Sequence, residues 1–140
     1  AFGITPTPSV TGTHKVSIVK VKKARIEWRE MRLGAVDQLN GLAAAVSKSF
    51  PEEKDIVEGV RTALGQLDES LYDGLHGLHD LDGPAREARY DDARARVADY
   101  LAFVQDDPFV EHVSTNPFQT VTFRGDLIKR LSALQTALGA

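Results

Sequence analysis

The sequence predicts an all-α fold: an antiparallel helical bundle of three long helices plus a shorter C-terminal helix, with an extended N-terminal arm. Three observations carry this. Apolar residues recur at three- and four-residue spacing in four separate segments. Proline- and glycine-bearing stretches, "SFPEEKD", "LDGP" and "DDPFVEHVSTNPF", divide those segments. The connections are short, so consecutive helices lie antiparallel. The expected division is an arm or linker over 1–21 and a bundle domain over 22–140.

The arm, "AFGITPTPSVTGTH", carries Pro6 and Pro8, which favour an extended chain. It reads as a linker from an upstream domain or an arm on the surface. "VSIVKV", Val16 to Val21, alternates like a strand, yet nothing later in the chain alternates long enough to pair with it. It therefore stays extended, pairs outside the chain, or belongs to a helix that starts early.

The first helix is expected from about Lys22 to Ser49, with Trp28, Ala35, Leu39, Leu42 and Val46 on one stripe. Gly34 and Gly41 each cost about 1 kcal/mol in a helix interior. Close approach of a neighbouring helix would compensate. Pro51 disfavours helix at Phe50 and so ends this element.

The second helix places Val57, Val60, Leu64, Leu67, Leu71, Gly74, Leu78 and Leu81 on one stripe, widened by Ile56, Ala63 and Leu75. A stripe that wide belongs in a bundle rather than a two-stranded coiled coil. Asp55 is its expected N-cap, with Glu58 three residues on. Asp82 then caps a third helix, Pro84 to about Asp106, which buries Tyr90, Ala93, Val97, Leu101 and Val104, with Tyr100 and Phe103 alongside. "AREARYDDARARV" is its charged face, solvated or paired at i, i+4. Asp107 and Pro108 open a short helical turn. The last helix, about Thr122 to Leu138, aligns Leu127, Leu131, Leu134 and Leu138.

Composition narrows the function classes. The chain has 140 residues, an apolar fraction of 42% and a charged fraction of 26%, ordinary for a soluble domain. No apolar run approaches the roughly 18 residues that span a bilayer. There is no signal peptide, and the first residue is Ala, so the chain reads as an excised domain or processed fragment. With no cysteine, thiolate metal sites, disulfides and a Cys nucleophile are excluded. The cytoplasm is the default compartment. The formal net charge of −3 gives no global attraction to nucleic acid. Seven basic residues lie between Lys15 and Arg32, and nine acidic residues between Pro51 and Asp82. The two blocks are expected to face each other across neighbouring helices.

"LHGLHD" holds the one candidate constellation. His76 and His79 at i, i+3, with Glu69, Asp73 and Asp80 nearby, could share a metal on one helix face. A di-iron bundle needs Glu-x-x-His on two helices, and that pattern is missing. A phosphotransfer histidine at His76 would sit among carboxylates with no Lys or Arg between Arg61 and Arg86. A solvated face with ordinary histidines is the expected reading. "TNPF", Thr115 to Phe118, matches a short peptide motif read by partner domains. Asn-Pro is equally a turn opener, and Phe118 can plug the bundle end. No nucleophile elbow, Walker loop or dinucleotide fingerprint occurs.

The run "ARIEWREMRLGAVDQLNGLAAAVSKSF", then "DPFVEHVSTNPF", then a Leu-rich last helix resembles a helical module of large uncharacterised bacterial multidomain proteins. The resemblance spans about Ala24 to Ala140 and implies a bundle within a larger architecture. It implies no activity and no site residues.

The expected function is a non-enzymatic protein–protein interaction or scaffold module, part of a larger protein or assembly. Its partner would be another protein or a neighbouring domain, and an oligomer is compatible with that role; a membrane is not expected. No catalytic, cofactor or metal-binding residue is assigned. One alternative is a metal-dependent or phosphotransfer activity centred on His76 and His79. Another is weak nucleic-acid binding through residues 15–32, where a single Trp and no aromatic series accompany the basic residues.

Overall fold

The computed structural model describes residues 16–139. Among these are five α-helices, one 3₁₀ turn and no strand. The elements are α1 (Ile18–Val46), α2 (Pro51–Leu75), α3 (Gly83–Asp106), α4 (Pro108–Ser114) and α5 (Phe123–Ala137), with the 3₁₀ turn at Leu78–Asp80. The expected all-α bundle of three long helices and a shorter last one is what is found. The arm expected over 1–21 falls outside the described residues up to position 15.

Val16–Val21 is resolved in favour of helix. Ser17 caps α1, its hydroxyl accepting from Lys20 N at 3.3 Å. Val21, Ala24 and Trp28 then bury on the helical spacing. The arm boundary at 21/22 therefore moves back to Ser17. The alternation of Val16, Ile18 and Val21 is overridden because packing rewards the i, i+3, i+7 set.

α2 starts earlier than expected. Pro51 occupies its first turn, with Glu52 and Glu53 favourably placed at the positive end of the helix dipole. Asp55 is thus not the N-cap; it lies in the second turn and is exposed. α2 also ends earlier, at Leu75 rather than Leu81. Gly77 adopts φ 67°, the left-handed conformation that terminates helices and that other residues resist.

The helices form an up-down-up-down bundle. α1 packs on α2 and α5, and α3 packs on α2 and α5. Asp107 caps α4, its Oδ2 accepting from Phe109 N and Val110 N at 3.0 and 3.1 Å. Thr122 stands at the start of α5, but a residue of α1 does the capping. Gln38 Oε1 accepts from Thr122 N at 2.7 Å and Phe123 N at 2.9 Å. The fully buried set includes Tyr100, Phe123, Leu39, Leu71 and Leu131.

Two local expectations are corrected. Gly34 does not admit a neighbouring helix, since a Cβ there would meet nothing within 4 Å. At Gly41 the neighbour is the Gln119 side chain, which a Cβ would meet at 2.8 Å. The arginines of "AREARYDDARARV" are more than a solvated face. Arg94 and Arg96 do pair with Asp91 and Asp92. Arg96 also reaches Ser70 O on α2 at 2.8 Å, and Arg89 donates to the Asp73, Gly74 and His76 carbonyls. α2 has no basic residue in its own last turn, so a neighbour supplies the donor its carbonyls lack.

Candidate functional site

Three features present chemistry at or near the surface: a polar cluster between α1, α2 and α3, the histidine turn after α2, and an apolar groove between α2, α3 and α4.

The polar cluster centres on Asp68, which is buried on the core stripe of α2 between Leu64 and Leu71. Its Oδ1 accepts from the Tyr100 hydroxyl at 2.6 Å, and its Oδ2 lies 3.3 Å from Arg32 Nε. Burial pushes the Asp68 carboxyl up to about 6, against the opposing pull of the Tyr100 hydrogen bond and the Arg32 charge. Burial and the adjacent carboxylate likewise push the Tyr100 phenol far above its ordinary value, while the Trp28 indole and Arg32 oppose the rise. Trp28 stands edge-on to Tyr100 at 6.4 Å, and its buried Nε1 finds no partner of standard hydrogen-bond geometry among the described residues.

A cleft of about 290 Å³ opens beside this cluster, lined by Arg29, Arg32, Glu69 and Tyr72 among others. Both Asp68 oxygens are already engaged. The cluster therefore ties three helices together, with Asp68 and Glu69 both at the wall of the cleft. Arg32–Asp68 is also the point at which the basic and acidic blocks meet across α1 and α2. Elsewhere the acidic block is served differently: Glu53 meets His112 at 2.8 Å, and Glu58 meets Lys54 and Arg61. Lys22, Lys23, Arg25 and Arg29 make no ion pair among the described residues.

His76 and His79 do not share a helix face, because the left-handed Gly77 intervenes. His76 is exposed and stacks on Tyr72 at 5.8 Å. His79 turns inward, with Nδ1 2.9 Å from the Tyr90 hydroxyl. Burial lowers its pKa, and the cations Lys22, Arg86 and Arg25 add to the effect. Its surroundings are thus basic in space although acidic in sequence, and it is not an ordinary solvated histidine. Among the described residues no group of three or more His, Asp or Glu side chains is placed to hold a metal ion.

The apolar groove has a volume of about 380 Å³ and is lined by Ile56, Gly59, Val60, Ala63, Phe103 and Phe109, with Asp55 and Asp107 at its edge. Gly59 and Ala63 keep its floor low, and Phe109 stands 57% exposed at one wall. Asp99 and Asp106 flank Phe103 at i−4 and i+3 on α3, and both are exposed. None of Asp55, Asp99 and Asp106 makes an ion pair among the described residues, and of the three Asp55 lines the groove. In "TNPF", Asn116 is buried; its Oδ1 accepts from Phe118 N at 2.9 Å and its Nδ2 donates to Glu53 at 3.3 Å. Phe118 stacks on Phe50 at 4.4 Å across the bundle end. The motif is built into the fold as a turn.

No helix among the described residues is long and apolar enough to cross a membrane. No family model matches the chain, and no curated protein or solved structure is significantly similar to it.

Proposed function

We propose that the chain is a non-enzymatic interaction module that binds an amphipathic helix of a protein partner in the groove between α2, α3 and α4. One observation carries this reading. A groove of about 380 Å³ is apolar, open, and edged by the carboxylates of Asp55 and Asp107, and helix-in-groove recognition uses that combination. Its apolar floor suits a helix face, and its rim suits flanking Lys or Arg. The cytoplasm fits a cysteine-free module of this kind. The resemblance to helical modules of bacterial multidomain proteins accords with a part that docks its neighbours.

Titration with a synthetic helical peptide, Leu at heptad spacing and flanked by Lys, tests the reading by nuclear magnetic resonance. Amide shifts should concentrate at Asp55–Ala63 and Phe103–Phe109, and Phe109→Glu should abolish them. Shifts elsewhere, or none, would reject the groove as the binding site.

A further inference from the structure

The aromatic partners that the basic segment of the sequence lacks come from another helix. Lys22, Arg25, Arg29 and Arg32 recur at spacings of three, four and three, so they form one line along α1, about 15 Å from end to end. The line lies on the side of α1 that meets α2, since Arg32 pairs with Asp68. Lys22, Arg25 and Arg29 are exposed and make no ion pair among the described residues. Tyr72 lines the same cleft as Arg29 and Arg32. It is 50% exposed and stacks on the exposed His76 at 5.8 Å, the two rings 26° from parallel. Lys22 and Arg25 act on the turn that follows, where their charges and that of Arg86 help to hold the His79 pKa down.

Of the nearby carboxylates, Asp68 is taken by Arg32, Glu69 shares the cleft wall and Asp80 acts on His79. Asp73 lies on the outer face of α2, and Glu30 and Asp37 on that of α1, off the seam. Lys22, Arg25, Arg29, Arg32 and Arg86 therefore outnumber the carboxylates along it. We infer that this seam between α1 and α2 binds single-stranded nucleic acid, the α1 cations taking phosphates and the Tyr72–His76 stack taking a base. A cationic line beside exposed rings is how sequence-tolerant single-strand sites are built. An acidic peptide would use the cations alone; a base also uses the open ring face of Tyr72. A duplex keeps its bases in its own stack and offers this seam only its phosphates. The net charge of −3 opposes a polyanion, so affinity rests on the local line and is confined to low salt. The seam is separate from the groove between α2, α3 and α4 and does not depend on the reading given to it.

The test is fluorescence anisotropy of a labelled oligothymidylate of about 15 nucleotides, titrated with the full chain from about 20 mM salt upward. Binding should be micromolar at low salt and should fall with a log–log slope of about −2, the value for three phosphate contacts on a single strand. Arg25→Gln combined with Arg29→Gln should weaken binding and flatten the slope to about −0.7. Tyr72→Ala should weaken binding about fivefold or more with the slope unchanged, and Tyr72→Trp should restore it. A duplex of the same length should bind more weakly and be indifferent to Tyr72→Ala. All three positions are exposed, and a helical circular-dichroism spectrum verifies that each variant folds.

The inference fails if the wild type does not bind the single strand at low salt. It fails too if the double arginine variant binds as the wild type does, which would place the contact elsewhere. If the arginine variant loses binding while Tyr72→Ala keeps it, the line is a general anion surface suited to an acidic peptide, and the inference fails again. Equal affinity for the duplex would have the same meaning. None of these results bears on the groove, which the helical-peptide titration reads separately at Asp55–Ala63 and Phe103–Phe109.

Discussion

The Tyr100 hydroxyl donates a 2.6 Å hydrogen bond to Asp68 Oδ1, joining α3 to α2 inside the core. Asp68 in turn faces Arg32 of α1, so one carboxylate connects three helices. A buried charge held this way is costly to ionise and costly to leave unpaired.

Stability should therefore depend on pH through Asp68. Its folded pKa is raised from 3.8 to about 6. Between these values the folded chain holds a proton that the unfolded chain has lost. The contribution is fully present below about pH 4 and is lost as pH rises through about 6. Urea unfolding of the wild type and Asp68→Asn from pH 4 to pH 7 measures it. The wild type should lose stability relative to the variant across that window. Parallel profiles would mean that Asp68 titrates near its unfolded value.

Tyr100→Phe keeps the ring against Trp28 and removes the hydroxyl. Asp68 loses its shortest hydrogen bond while remaining buried. We expect a loss of about 1–3 kcal/mol at pH 7, the cost of an unsatisfied buried acceptor. The loss should shrink at pH 4, where the carboxyl is neutral. A loss equal at both pH values would assign the effect to packing alone.

In the second helix, Leu71→Ala should cost about 2–5 kcal/mol, because Leu71 is fully buried. Leu67→Ala should cost clearly less, since Leu67 is only partly buried at the edge of the core. Equal costs in denaturant unfolding would mean that the core edge lies farther out than Leu67.

These two leucines also show what could be read from the sequence. Periodicity alone placed four helices and most of their buried faces, because Val57, Val60, Leu64 and Leu71 obey the helical spacing. It chose Leu67 as the mid-stripe residue, where the structure buries Asp68. Asp68 lies four residues after Leu64 and three before Leu71, so a carboxylate on the core line was the available signal. Its partners Arg32 and Tyr100 could not be inferred, since they meet it only through packing. The same holds for His79, whose cations come from α1 and α3 rather than its own segment. The groove was hidden for a related reason: Ile56, Ala63 and Phe103 read as core residues, and only the packing of α4 leaves them open.

Gly34→Ala should stabilise the bundle by about 0.5–1 kcal/mol. Gly34 lies within α1, and a methyl group there meets nothing. The gain is helix propensity and reduced freedom of the unfolded chain. A destabilised variant in thermal unfolding would mean that Gly34 faces a close neighbour.

The last expectation concerns the end of α2. Arg89 Nη2 donates to the carbonyls of Asp73, Gly74 and His76 at 3.2, 3.3 and 2.7 Å. These groups have no acceptor role left inside the helix, which stops at Leu75, and they carry its negative dipole end. The three carbonyls converge on one nitrogen of a rigid, planar guanidinium; an ammonium is a compact point charge on a flexible stem. Arg89→Lys should therefore lose stability although the charge is kept, by about 1–2 kcal/mol on the scale of one charge-assisted hydrogen bond. Arg89→Met should lose somewhat more. Amide hydrogen exchange localises the effect: protection should fall first in the last turn of α2 and at Gly77–Leu78, with α5 unchanged. Full retention of stability by the Lys variant would show that charge alone, and not the rigid guanidinium, holds this helix end.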